Sequence, residues 1–272
     1  CSEASNLEHR FLLDFLLLTD SRPELCSLAK GAPHAEEGAA PLGLRPEEPR
    51  LPVKIVAISD THGFHDRLEI PPGDVLVHSG DFCRKGTLEE FTEFLGWFEA
   101  QPHAAKVLVA GNHDMVVEKE PARCLELIPE SVTYLQDSGA EINGVQFWGS
   151  PWTPIFYDWA FMLPRGNMLR EKWDQIPQET DVLVTHGPPY GHGDLAPPNI
   201  SEHPKVVGCL ELLHAVKRVR PQVHIFGHIH GGYGVSLSDE VPHVRFANAA
   251  ICTEGYEPSH APTVLDLRNS FR

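Results

Sequence analysis

Five short apolar runs, at residues 55–58, 75–77, 107–110, 182–184 and 223–226, each stop abruptly at polar residues. Rich in Val and Ile and closed by Gly or polar punctuation, they predict buried parallel strands. Between them the period changes. Leu88, Phe91, Leu95 and Phe98 recur at helical spacing, which predicts a helix over residues 87–100 that Pro102 ends. Further helices are expected near residues 121–128 and over 209–219. Residues 132–135, 141–142 and 145–148 read as short strands, with Asn143-Gly144 as a hairpin turn. Residues 235–237, 244–247 and 264–267 return to β. Helices between early strands and hairpins among later ones predict an α/β fold of two packed sheets with helices outside. Residues 29–52, rich in Pro, Gly, Ala and Glu, read as a linker. Residues 11–18 are apolar except for Asp14, an expected amphipathic helix too short to span a membrane. The expected division is a terminal segment and linker over 1–52 and one catalytic domain over 53–272.

The residues that end the five runs carry the chemistry. Asp60 and His62 follow the first, Asp81 the second, and Asn112, His113 and Asp114 the third. His186 follows the fourth, and His228 and His230 the fifth. In open α/β sheets ligands bind beyond the carboxyl ends of such strands. Five strands would deliver these groups to one rim. A site for two divalent ions needs a carboxylate able to touch both, with nitrogen and oxygen donors on each side. Asp81 after Gly80 is the natural bridge. Two dications with two carboxylates leave about +2, a match for a phosphate ester. Each motif alone is more often a turn, a helix cap or a core histidine. Their joint order at five strand ends is what favours the metal site.

Asp60-x-His62, Gly80-Asp81, Gly111-Asn112-His113-Asp114, His186-Gly187 and Gly227-His228-x-His230 resemble the five signature blocks of the calcineurin-like metallophosphoesterase superfamily. Residues 149–154, 185–194, 207–209 and 226–234 resemble its metallophosphoesterase-domain-containing family more narrowly, similar to class III cyclic-nucleotide phosphodiesterases. The resemblance runs from about Val53 to the C-terminus. It implies a four-layer α/β/β/α sandwich of two mixed sheets. It implies one ion on Asp60, His62, Asp81 and His230, and a second on Asp81, Asn112, His186 and His228. It makes His113 the group that assists the leaving oxygen, with Asp114 fixing its tautomer, and it implies attack by a water acidified between the ions. Some vertebrate relatives with Gly at the position of His228 are weak catalysts, and this chain keeps His. The mixed N/O donor set accepts Mn²⁺ first, with Fe or Zn²⁺ as alternatives.

Composition narrows the partners. The chain has 38 acidic and 22 basic residues, for a net charge of −16. Nucleic-acid polymers and anionic membranes are therefore excluded as expected partners, and a small phosphorylated substrate, a nucleotide among them, is kept. Six cysteines without a Cys-x-x-Cys pair predict a reducing, cytoplasmic setting. For the substrate pocket, Arg84 follows Asp81 closely enough to meet a phosphate oxygen, Trp152 and Phe156 sit in a loop where a base could stack, and Tyr190 and His192 follow His186. Trp159 and Phe161 are expected to pack the loop. His78 and His224, inside strands, are expected core histidines. The leading expectation is a metal-dependent phosphodiesterase for substrates such as 3′,5′-cyclic nucleotides. The alternatives are a phosphomonoesterase and a nucleotide-binding or scaffold protein of low activity.

Overall fold

The first half of the domain must cross back after each parallel strand before the next begins, by a loop with one short 3-10 turn after the first strand and by α-helices after the next two. In the computed structural model, which describes residues 52–197 and 205–267, it runs β1 (Val53–Ile58), β2 (Val75–His78), α1 (Leu88–Glu99), β3 (Ala105–Leu108), α2 (Met115–Lys119), α3 (Pro121–Leu127) and β4 (Val132–Tyr134). The second half runs β5 (Ser138–Ile142), β6 (Val145–Ser150), β7 (Thr153–Pro154), β8 (Met162–Leu163), α4 (Asn167–Trp173), β9 (Val182–Thr185), β10 (Leu195–Ala196) and β11 (Lys205–Val206). It ends with α5 (Leu210–Val219), β12 (Val223–Phe226), β13 (Gly234–Ser236), β14 (Arg245–Asn248) and β15 (Thr263–Leu267). The expected helix and linker before residue 51 lie outside the described residues.

Two mixed sheets result. One has the order β15-β1-β2-β3-β4, the other β13-β14-β12-β9-β6-β5. The inner strands pair in parallel, and β15, β13 and β5 close the edges antiparallel. Strand alternation sorts side chains into layers. Val53, Ile55 and Ala57 of β1 meet Val145, Phe147, Val223 and Ile225 between the sheets. Val56 and Ile58 face the other way, onto Phe91, Phe94, Leu95 and Phe98 of α1. Leu183 and Phe226 face Leu169, Trp173, Leu212 and Val216 of α4 and α5. The expected four-layer sandwich is thereby in place.

Local signals explain most boundaries. Thr87 and Glu90 form a reciprocal capping box at the start of α1. Asn143 and Gly144 both hold positive φ, 53° and 75°, as a tight hairpin turn requires. Helices α2 and α4 were not expected. They have five and seven residues, and α4 buries only Leu169 and Trp173, one turn apart, too little to establish a period. Among the described residues no helix is long and apolar enough to cross a membrane.

Candidate metal centre

Parallel strands from both sheets end at one rim, so their following loops converge. Ser59 bridges to Ala250, and His186 Nδ1 lies 3.0 Å from Ser79 O, which ties the rims of the two sheets together. Four candidate ligands, Asp60, His62, Asp81 and His228, hold left-handed backbone with φ of 51°, 44°, 58° and 66°. Such strain in non-glycine residues persists where surrounding contacts enforce it, and it clusters at functional sites. Here the contacts are explicit. Both Asp60 oxygens accept from His228 N, at 3.0 and 2.9 Å. Asp81 Oδ1 accepts from His113 N at 2.7 Å. Gly227 has to lack a Cβ, because one there would collide with the Asp60 carboxylate.

The side chains form two adjoining clusters, Asp60–His62–His230 and Asp81–His186–His228, with His62, Asp81 and His113 grouped between them. Ring tautomers show what they suit. His230 Nδ1 donates to Thr253 O at 2.9 Å, and His186 Nδ1 donates to Ser79 O at 3.0 Å. A carbonyl only accepts, so each Nδ1 carries the hydrogen. The Nε2 lone pairs then point at oxygen: His230 at Asp60 Oδ1, 3.3 Å away, and His186 at Asn112 Oδ1 and Asp81 Oδ1, at 2.8 and 3.3 Å. His62 Nε2 and His230 Nε2 lie 3.2 Å apart. Inner nitrogens this close to one another and to carboxylate oxygen need a shared proton or a metal cation between them. A backbone carbonyl fixing the outer nitrogen while the inner one faces carboxylates is the usual arrangement of a metal-ligating histidine. The donor set fits divalent cations.

Electrostatics agree. Burial lowers His62 and His228 to about 4, so both rings are neutral at pH 7 and can offer lone pairs. Burial works against charge on His186, but Asp81 beside it raises the ring to about 9. Burial favours the neutral form of both carboxyls, yet the neighbouring histidines outweigh it, and Asp60 and Asp81 stay well below the usual carboxylate range. In the metal-stripped protein a proton supplies the positive charge that a metal ion would otherwise provide.

The profile of the calcineurin-like phosphoesterase family matches residues 53–232. The chain belongs to that family. It is 41% identical over 243 residues to metallophosphoesterase domain-containing protein 1 of Homo sapiens, covering 80% of this chain and 72% of that one. The Mus musculus protein of the same name matches to the same extent. One solved crystal structure superposes with a TM-score of 0.58 at 18% identity, over 79% of this chain and 95% of that chain, and speaks for the fold alone. The calcineurin-like domain and its clustered Asp and His residues together support a metal-dependent phosphoesterase.

Asp81, Asn112, His228 and His230 line a cleft of about 440 Å³ together with His113, and Asp60, His62 and His186 join them through the two clusters, but several neighbouring expectations need correction. Asp114 does not hold the His113 ring. Its carboxylate accepts from Gly111 N at 2.7 Å and from Asp81 N and Cys83 N at 2.9 Å each. His113 Nδ1 donates instead to Arg84 O at 2.9 Å. Arg84 therefore serves through its carbonyl, while its guanidinium lies 5.7 Å from the Phe64 ring centre and outside the cleft wall. Trp152 also lies outside the wall, because its indole N–H donates to Asp137 at 2.9 Å. Tyr190 is exposed away from the cleft, and His192 stacks on Phe246 at 3.8 Å. Trp159, expected to pack the loop, lines the cleft with its ring 4.2 Å from His113, as does the expected Phe156. Phe161 is buried and His78 and His224 are core residues bonded to Thr61 and Thr185, as expected.

Tyr256, Arg165 and Lys205, which no sequence motif marks, also line the cleft. Tyr256 packs 4.8 Å from His62 and 5.4 Å from His230. The one available signal was the strand ending at Asn248, whose following loop must also reach the rim.

Proposed function

We propose that this chain is a metal-dependent phosphodiesterase for small substrates, 3′,5′-cyclic nucleotides among them. The pair of adjoining Asp/His clusters, from which Asp81, His228 and His230 line one cleft, carries the reading. Asp60, His62, Asp81 and His230 would hold one divalent ion, and Asp81, Asn112, His186 and His228 the other, with Mn²⁺ the proposed metal. Bound there, two such ions acidify water and neutralise charge on phosphoryl oxygens. The chain's own residues do the rest. The Arg84 carbonyl fixes the His113 tautomer, leaving Nε2 as the free nitrogen. When it carries a second proton, His113 gives it to the departing oxygen as the P–O bond breaks, while water supplies the new P–O bond. Trp159 and Phe156 offer flat apolar faces to a base. The cleft volume suits a nucleotide-sized ligand, and the −16 charge disfavours polymers. Four described cysteines, Cys83, Cys124, Cys209 and Cys252, are free and buried, which supports a cytoplasmic setting.

The test compares bis(p-nitrophenyl) phosphate, p-nitrophenyl phosphate and cyclic AMP with Mn²⁺. Diester and cyclic AMP cleavage is expected, and cleavage of the monoester alone would overturn the diesterase assignment. His113→Ala should lower kcat by about 10²- to 10³-fold with metal content unchanged. An unchanged kcat would remove His113 from the mechanism.

A further inference from the structure

The cleft holds two cations that the reaction at its floor does not need. Arg165 lies just before α4, and its fork reaches across to the segment before α5. Nη1 donates to Gly208 O at 2.7 Å and Nη2 to Val207 O at 2.5 Å. That bond to Val207 brings the guanidinium within two residues of Lys205, and both side chains line the cleft. A guanidinium has five N–H donors, so three remain after these two bonds. The nearby Glu211 carboxylate accepts from Gly166 N at 2.8 Å and from Cys209 Sγ at 3.4 Å. Burial works against its charge, but these bonds and the Arg165 charge help to hold it below the usual carboxylate range, with no direct ion pair between the two among the described residues. Among the described residues no side-chain hydrogen bond or ion pair holds Lys205. In a chain of net charge −16, two cations lining one cavity, with Glu254 elsewhere on its wall, are a local departure from the surface average.

We infer that Arg165 and Lys205 form a second-phosphate subsite. The substrate class is a phosphoester that carries, besides the phosphorus attacked at the floor, a separate terminal phosphate. Two cations match a dianion, and a preset guanidinium fork suits phosphoryl oxygens. The inference deepens the phosphoesterase reading, rests on it for which phosphate is cleaved, and narrows it to esters with a second phosphate, since a simple 3′,5′-cyclic nucleotide has one phosphorus and leaves this subsite empty. The subsite positions the substrate and takes no part in bond breaking.

The test measures calorimetric binding to the full chain loaded with Mn²⁺. The probes are adenosine 3′,5′-bisphosphate and adenosine 5′-monophosphate. The bisphosphate is expected to bind about tenfold tighter, as an added charge-assisted contact implies. Lys205→Ala should bring the ratio of the two Kd values several-fold closer to one. Arg165→Lys, which keeps charge but loses the fork, should also reduce it. Equal Kd values in the unaltered chain, or a ratio untouched by Lys205→Ala, would overturn the inference. Turnover of bis(p-nitrophenyl) phosphate is measured in parallel. Turnover without the bisphosphate preference sinks only the subsite. The preference with its Lys205 dependence, but without turnover, sinks only the reaction assignment.

Discussion

Replacing Asp81 by Ala is expected to lower kcat/KM for bis(p-nitrophenyl) phosphate by about 10³-fold or more and to reduce bound metal. The size follows from losing several kcal/mol of charge stabilisation at the reacting phosphorus. Asp81 is the group that both clusters face. Its Oδ1 lies 3.3 Å from His186 Nε2, and its Oδ2 lies 3.9 Å from His62 Nε2. Its Oδ1 also accepts from His113 N, so Ala would free the backbone of the residue proposed to assist the leaving oxygen. Asp81→Asn separates these effects. It retains an acceptor for His113 N but lacks the charge, and should remain nearly as inactive. Full activity in Asp81→Asn would show that the carboxylate is not needed to hold metal.

The second large effect concerns stability. Asp114→Ala is expected to destabilise the domain by at least about 3 kcal/mol, because three buried N–H groups lose their acceptor. For a domain of this size that is a fall of roughly 6–12 °C in Tm. The carboxylate is completely buried and joins the loops after β2 and β3. Burial and the nearby Asp81 push its carboxyl up, against three N–H donors that favour the ionised form. Asp114→Asn should fall between, since its NH₂ must face one of these donors. A thermal scan decides the matter. A Tm within about 2 °C of the unaltered chain would contradict the role assigned to these three bonds. His113→Ala, which removes only an imidazole at the cleft surface, should leave Tm far less changed.

The contrast between His113 and Asp114 shows where the sequence is readable. Strand period and strand ends are local properties, so the two sheets and the convergence of Asp60, Asp81, His186 and His228 could be anticipated from the chain. A side chain's direction within an irregular loop has no period. Asp114 looked like a partner for its neighbour, yet the turn at Gly111 aims it at three backbone N–H groups. Trp152 looked free to stack, but a buried indole N–H needs an acceptor, and Asp137, itself bonded to Ser150 and Lys172, draws it away from the cleft. Trp159, seven residues further on, takes the place beside His113. Arg165 entered the cleft through a pairing with Val207 and Gly208 more than forty residues away, which nothing in its local sequence announces. The left-handed backbone at four candidate ligands is likewise visible only in three dimensions.

The central claim is that two divalent ions at the Asp81 rim make this chain a phosphoester hydrolase. The most direct test strips the protein with a chelator and titrates it with Mn²⁺. Bound metal and the rate on bis(p-nitrophenyl) phosphate are followed together. Activity is expected to be absent at the start and to level off as binding reaches two ions per chain. Hydrolysis that persists in the stripped protein, or no turnover with two ions bound, would contradict the account.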